Sequence, residues 1–196
     1  MYFINILLLG LPGVGKSSFL KRLNFEEFTE QYTATTETYI SKFEISTNVE
    51  KKIAFTIYEI PYNDYISEIL KIRNITNIDG IIFMFDLTQQ QSFDNTCKLI
   101  KDVKNNINEN DYDNIHKVIM GNKYDIKKRK VSNNYITGIN NNEIYGRCQY
   151  YPYSVKSFLN FDLPLLNISR KTLKLSQPLF FEDDVIEILD ENDLNI

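Results

Sequence analysis

The segment Gly10 to Ser17 reads G-L-P-G-V-G-K-S, directly after an apolar run, Tyr2 to Leu9, and before a stretch with helical spacing. That context dictates a local geometry. A buried strand ends, glycines let the backbone curl until several N–H groups converge, and the next helix aims its positive end at an anion. Three of the chain's seven glycines lie in this one turn. Polyphosphate is the ligand that fits, with the Lys16 ammonium reaching the terminal phosphates and the Ser17 hydroxyl holding a magnesium ion that bridges them. The candidate cradle is Gly13, Val14, Gly15, Lys16, Ser17 and Ser18. A plainer alternative is a glycine-rich corner that only closes a strand onto a helix; it leaves the full eight-residue match with both flanks unexplained.

With 196 residues and 43% hydrophobic content, the chain is long enough for one well-buried core and short for two. Residues 1–175 are expected to form that single domain. The longest apolar stretches, Ile4 to Leu9 and Ile81 to Phe85, are far too short to cross a bilayer. Cys97 and Cys148 lack metal-type spacing, and one histidine, His116, leaves no basis for a histidine-built metal cluster or catalytic triad. Chemistry must therefore lean on phosphate electrostatics, in a reducing compartment.

Charge is unevenly spread. From Ser176 onward there are seven acidic residues and no basic ones, so residues 1–175 carry a net +3 against −4 for the whole chain. Residues 176–196 are expected to be a solvated, partly disordered acidic tail, with a docking peptide for a basic partner as the sharper reading. Leu179, Phe180 and Phe181 at its start could pack back on the domain.

Apolar runs of strand character alternate with helical patterns, which predicts helices layered over a mostly parallel sheet. Tyr2 to Leu9 is the first strand, and Phe19, Leu20 and Leu23 mark the helix after the loop. Phe43 and Ile45, then Ile53, Phe55 and Ile57, alternate with polar residues across a polar turn and predict a hairpin. Ile81 to Phe85 and Val118 to Met120 read as buried strands. Phe93, Cys97, Ile100, Val103 and Ile107 give a helix at 3.6 spacing, followed by a loop over Asn105 to Asn114. Tyr150 to Val155 is a last strand, and Phe161 to Leu175 a final helix with Pro164 in its first turn. Lys127 to Asn142 has too little periodicity to place.

A second signal is G-N-K-Y-D, Gly121 to Asp125, just after a buried strand. A carboxylate at Asp125 can accept two hydrogen bonds from the N1–H and 2-amino edge of guanine, a pair that adenine does not offer. Leaving that carboxylate unpaired costs of order 1–3 kcal/mol, enough to discriminate between bases. The stem of Lys123 can lie along the base, and Asn122 can tie this loop to the phosphate loop. Thr35, in Y-T-A-T-T-E-T, is a second candidate magnesium ligand beside Ser17.

At this point the chain resembles the Ras superfamily of small GTP-binding proteins. The resemblance rests on G-L-P-G-V-G-K-S, on Phe28 and Thr35 at the family's spacing, on N-K-Y-D, and on S-V-K at Ser154 to Lys156. F-D-L-T-Q-Q-Q-S-F, Phe85 to Phe93, looks most like the Rab branch. The resemblance implies a three-layer P-loop G domain with a mostly parallel six-stranded sheet, one antiparallel edge hairpin and flanking helices. It also implies that GTP or GDP binds with Mg2+, that Phe28 packs edge-on against the base, that the Val155 backbone contacts the guanine oxygen, and that Lys156 supports that loop.

The family's second switch normally reads D-T-A-G-Q; this chain has E-I-P-Y-N, Glu59 to Asn63. Glu59 keeps a carboxylate for the magnesium site, one methylene longer. Pro61 and Tyr62 replace small residues where the backbone must swing. Asn63 stands where a glutamine orients the attacking water, and a displacement near 1 Å costs on the order of 100-fold in rate. Pro12, inside the phosphate loop, faces the space where water or a partner's arginine would enter. The expectation is a Rab-like switch in vesicle traffic or signalling whose GTPase activity is weak, with Lys16 and Asn63 as its catalytic candidates. A nucleotide-holding scaffold or decoy is the alternative. An ATP-using kinase fails on Asn122 and Asp125.

The last cysteine is Cys148 and residue 2 is tyrosine, so neither prenyl nor myristoyl anchoring is expected. The reading is a soluble, cytoplasmic monomer that meets membranes through protein recruitment, with effector and exchange-factor proteins as partners. The basic run Lys127 to Lys130 lacks an accompanying aromatic platform, so no nucleic acid is expected to bind.

Overall fold

A computed structural model of the chain describes residues 1–29, 35–48, 52–63, 65–140 and 148–188. Strand β1, Tyr2–Gly10, lies at the centre of the sheet. Helix α1, Lys16–Leu23, follows, and then the hairpin of β2, Tyr39–Thr47, and β3, Lys52–Glu59. Helix α2 is Tyr65–Ile75, strand β4 Gly80–Asp86, helix α3 Gln90–Asn106 and helix α4 Glu109–Asn114. Strand β5, His116–Asn122, helix α5, Asn133–Asn140, strand β6, Cys148–Pro152, and helix α6, Leu163–Thr172, complete the expected α/β core. Six strands run in the order β6-β5-β4-β1-β3-β2, parallel throughout except for the antiparallel pair β2 and β3.

Strand periodicity explains the layers. Ile4, Ile6 and Leu8 face one side with Phe19, Leu20 and Leu23 of α1 and Leu165 and Ile168 of α6. Leu7 and Leu9 face the other, with Ile69 of α2, Ile100 and Val103 of α3, and Ile136 of α5. Every residue of β4 is buried, because helices cover both faces of a strand that has neighbours on both edges. Pro164 lies in the first turn of α6, where a missing N–H costs nothing.

Three local differences from the sequence reading have physical causes. The Asn105 to Asn114 loop contains α4, because the Asn108 side chain accepts a hydrogen bond from the Asp111 N–H at 2.9 Å and caps it. The last parallel strand stops at Pro152, and Tyr153 to Val155 turn away as part of a loop. The third concerns the acidic tail, expected as a solvated extension. Its residues Phe181–Ile188 form a seventh strand, β7, antiparallel to β2, while 189–196 fall outside the described residues. Leu179 is buried and Phe181 meets Phe55 edge-on at 6.0 Å, so apolar anchors outweigh the charge.

Burial also sets the response to alkali. It pushes the phenols of Tyr58, Tyr65, Tyr112, Tyr150, Tyr151 and Tyr153 above their usual 10.0, Tyr65 to about 12 with help from a hydrogen bond to Asp102. The Cys148 thiol rises from 9.0 to about 11 for the same reason. Above pH 9 to 10 the unfolded chain releases protons that the folded chain keeps, so stability is intact below that range and falls as pH rises through it. Lys16, Lys117 and Lys171, pulled down by burial, act in the opposite sense but are fewer. Urea midpoints are therefore expected to drop between about pH 9 and pH 11, each retained proton costing roughly 1.4 kcal/mol per pH unit. A flat profile there contradicts this reading.

Candidate functional site

Between β1 and α1 the chain turns through Gly13 and Gly15, whose φ values of 78° and 105° lie in the left-handed region. A Cβ on Gly15 would stand 2.3 Å from Asn122 Nδ2. Its absence lets that amide approach. Helix α1 carries no acidic residue in its first turn, so its positive end is left for an anion. Lys16 is 6% exposed, and its Nζ donates to the Gly10 carbonyl at 2.9 Å and the Leu11 carbonyl at 3.4 Å. Burial lowers its pKa and the Glu59 carboxylate partly opposes this. Carbonyls solvate the ammonium without neutralising it, which suits it to phosphate. Val14 is buried below the turn, Pro12 is exposed on it, and Ser18 is half-buried in the first turn of α1.

Three oxygens meet beside this loop. Ser17 Oγ lies 2.9 Å from Thr35 Oγ1 and donates to Glu59 Oε1 at 2.7 Å, and Thr35 Oγ1 donates to the same carboxylate oxygen at 3.1 Å. Hydroxyl and carboxylate oxygens are the donor chemistry that a hard cation needs, so Ser17 and Thr35 fit magnesium, with Glu59 close behind. Among the described residues no group of three His, Cys, Asp or Glu forms another candidate. The longer glutamate side chain reaches the Ser17 hydroxyl itself.

The base-recognition loops are assembled by Asn122, which is 3% exposed. Its Nδ2 donates to the Val14 carbonyl at 2.8 Å, and its Oδ1 accepts from the Val155 N–H at 3.1 Å. One amide thus joins the ends of β1 and β5 and the loop after β6. Asp125 is exposed, and one of its oxygens accepts from Ser154 Oγ at 2.7 Å, which fixes the carboxylate. Lys156 is exposed on the same loop. The Val155 N–H is already engaged by Asn122, so a guanine oxygen would have to share that donor. Phe28 is half-buried against the core cluster on the α1 side.

Sequence reading missed Asp86. It is almost fully buried at the end of β4, and its Oδ2 pairs with Lys123 Nζ at 2.7 Å. Its Oδ1 accepts from the Thr88 N–H and hydroxyl at 2.8 and 2.7 Å. Asp86 therefore holds Lys123, whose φ of 65° is strained for a side-chain-bearing residue, in the loop that carries Asp125. An aspartate at a buried strand end with threonine two residues later was the available signal.

The second-switch segment is tied down. Tyr62 and Tyr65 rings lie 5.9 Å apart, and the Tyr65 hydroxyl donates to Asp102 of α3 at 2.9 Å. Thr38, ahead of β2, donates to Glu68 of α2 at 3.1 Å, and Lys71 pairs with the same glutamate at 2.6 Å. Asn63 is exposed. A cavity of about 470 Å3 opens at the other end of the sheet, lined by Arg73, Asp79, Asp111, His116 and Lys171. It is remote from all these motifs, which gather at the carboxyl ends of the strands, where open α/β sheets bind ligands.

Gly15→Ala tests the assembly. It forces a Cβ into the Asn122 amide and a side chain into a left-handed conformation, with an expected loss of about 1–3 kcal/mol in urea unfolding. A loss no larger than that of a surface substitution contradicts the staple.

A family model supplies independent evidence: the Ras family matches residues 5–174. The matched span includes the phosphate loop, the Ser17, Thr35 and Glu59 oxygens, the Asn122 staple and the Asp125 and Ser154 pair. The chain belongs to the Ras family and is a small GTP-binding protein.

Proposed function

We propose that this protein is a Rab-like guanine-nucleotide switch that takes GTP or GDP with Mg2+ and hydrolyses GTP slowly, in vesicle traffic or signalling. The observation that carries the nucleotide reading is the Asn122 amide, bonded at once to the phosphate loop and to the loop beside Asp125. In this reading Gly13 to Ser18 receive the phosphates, Lys16 binds their terminal charge, and Asp125 selects the purine. Ser17 and Thr35 hold the magnesium ion, which when bound neutralises phosphate charge. Phe28, Lys123, Ser154, Val155 and Lys156 border the base.

Slow turnover is supported by the tethered second switch. Asn63 follows Tyr62, which is packed on Tyr65, and Tyr65 is bonded to α3. A short amide on a braced segment cannot easily reach an attacking water, and phosphoryl transfer depends on that positioning. Exchange-factor and effector proteins are the partners this reading calls for. A second reading, a scaffold that holds nucleotide without switching, draws support from the Thr38–Glu68 bond, which ties the first switch segment to α2.

Single-turnover hydrolysis by purified protein separates normal from impaired catalysis. The expected rate is about 100-fold below the roughly 4 × 10⁻⁴ s⁻¹ typical of unassisted Ras-type hydrolysis, and Asn63→Gln raises it. A wild-type rate at the usual level overturns the slow-hydrolysis claim. Equal hydrogen exchange of 59–75 in GDP-loaded and GTP-loaded protein favours the scaffold over the switch.

A further inference from the structure

Glu59 is the last residue of β3, and its backbone is fixed from both sides, opposite Leu8 of β1 and Tyr39 of β2. A strand position held by two ladders cannot retreat, so a side chain one methylene longer than aspartate must end further forward. It ends on two hydroxyls. Glu59 Oε1 stands 2.7 Å from Ser17 Oγ and 3.1 Å from Thr35 Oγ1, while the hydroxyl oxygens are 2.9 Å from each other. Oxygens from α1, from the segment before β2 and from the end of β3 thus form a nearly equilateral triangle.

Hydrogen bonding accounts for only part of that triangle. Its three edges have two protons between them, one on each hydroxyl, because an ionised carboxylate brings none. When both are donated to Glu59, the Ser17 and Thr35 oxygens face each other with lone pairs at 2.9 Å. A shared cation stabilises all three edges at once. The spacing suits one ion in particular: with metal–oxygen bonds of about 2.0–2.1 Å in an octahedron, adjacent ligand oxygens stand about 2.9 Å apart. Charge points the same way. Glu59 is 1% exposed and makes no ion pair among the described residues, and a buried carboxylate without a countercharge is costly. Lys16 acts on it only through space, since its ammonium is bonded to the carbonyls of Gly10 and Leu11.

We propose that Glu59 binds the magnesium ion directly through Oε1, so that Ser17 Oγ, Thr35 Oγ1 and Glu59 Oε1 take up one triangular face of its coordination octahedron. The opposite three positions are left to phosphate oxygens and water. An aspartate at this strand position would stop one methylene short and leave room for a water between itself and the ion. The glutamate instead supplies a negative ligand that does not depart with the nucleotide, and it ties the ion to the end of β3 as well as to the phosphate loop. This assignment deepens the nucleotide and magnesium reading and rests on it.

The test uses the full chain loaded with GDP, with Mn2+ as the probe ion. Free Mn2+ measured by electron paramagnetic resonance gives the affinity, and line broadening by isotopically labelled water counts the water ligands on the bound ion. Glu59→Gln is expected to weaken Mn2+ binding about 100-fold and Glu59→Asp about tenfold. The aspartate variant is also expected to hold one more water on the ion than the wild type, and it serves as the readout if the glutamine variant fails to fold. An equal water count in wild type and Glu59→Asp, or Mn2+ binding by that variant as tight as the wild type's, overturns direct coordination. GDP uptake is followed separately by mass spectrometry. Wild-type protein that takes up no GDP overturns the nucleotide reading and this proposal together, whereas normal uptake with an unchanged water count overturns the proposal alone.

Discussion

The carboxamide of Asn122 is the interaction on which the rest of the site depends. Motifs at Gly10, Asn122 and Ser154 are far apart in sequence, and the donor and acceptor of this one short side chain bind two of these loops to the third. Its burial raises the stakes, since an amide left without partners in the interior is costly. The glycine opposite it is part of the same device: at Gly15 the backbone gives up a side chain so that the amide nitrogen can come close. Cradle and carboxylate are held in register by sterics and hydrogen bonds together.

Around that staple the protein concentrates charge where solvent is scarce. Lys16, Glu59 and Asp86 are all nearly inaccessible, a distribution that a purely structural core avoids. Each is held by hydrogen bonds: Lys16 by carbonyls, Glu59 by two hydroxyls, Asp86 by Thr88 and the Lys123 ammonium. The arrangement preserves positive charge at the phosphate loop and oxygen donors at Ser17 and Thr35. It also explains why a longer carboxylate at position 59 is tolerated. The extra methylene is absorbed by direct contact with the Ser17 hydroxyl.

The periphery follows a different logic. Tyr62, Tyr65 and Asp102 brace a segment that in the family's usual pattern turns on glycine, while Thr38, Glu68 and Lys71 link that segment to the start of β2. On the far side of β2 an acidic strand closes the sheet, anchored through Asn48 and Phe180 and irregular in register between Thr47 and Ile45.

The sequence by itself determined the element types of the core and the chemistry of the two recognition loops. Unbroken apolar runs such as Ile81 to Phe85 have one low-energy use beside amphipathic helices, and a phosphate loop declares itself through glycines, a lysine and a serine at fixed spacing. Tertiary structure alone decided the rest, because long-range contacts have no local signature. Asp86 has no assigned role in the sequence until β4 and β5 align to bring Lys123 beside it, and the tail looked like a solvated extension until Leu179 and Phe181 found apolar surface next to β2. Local propensity was overruled there by burial, which depends on neighbours more than a hundred residues away.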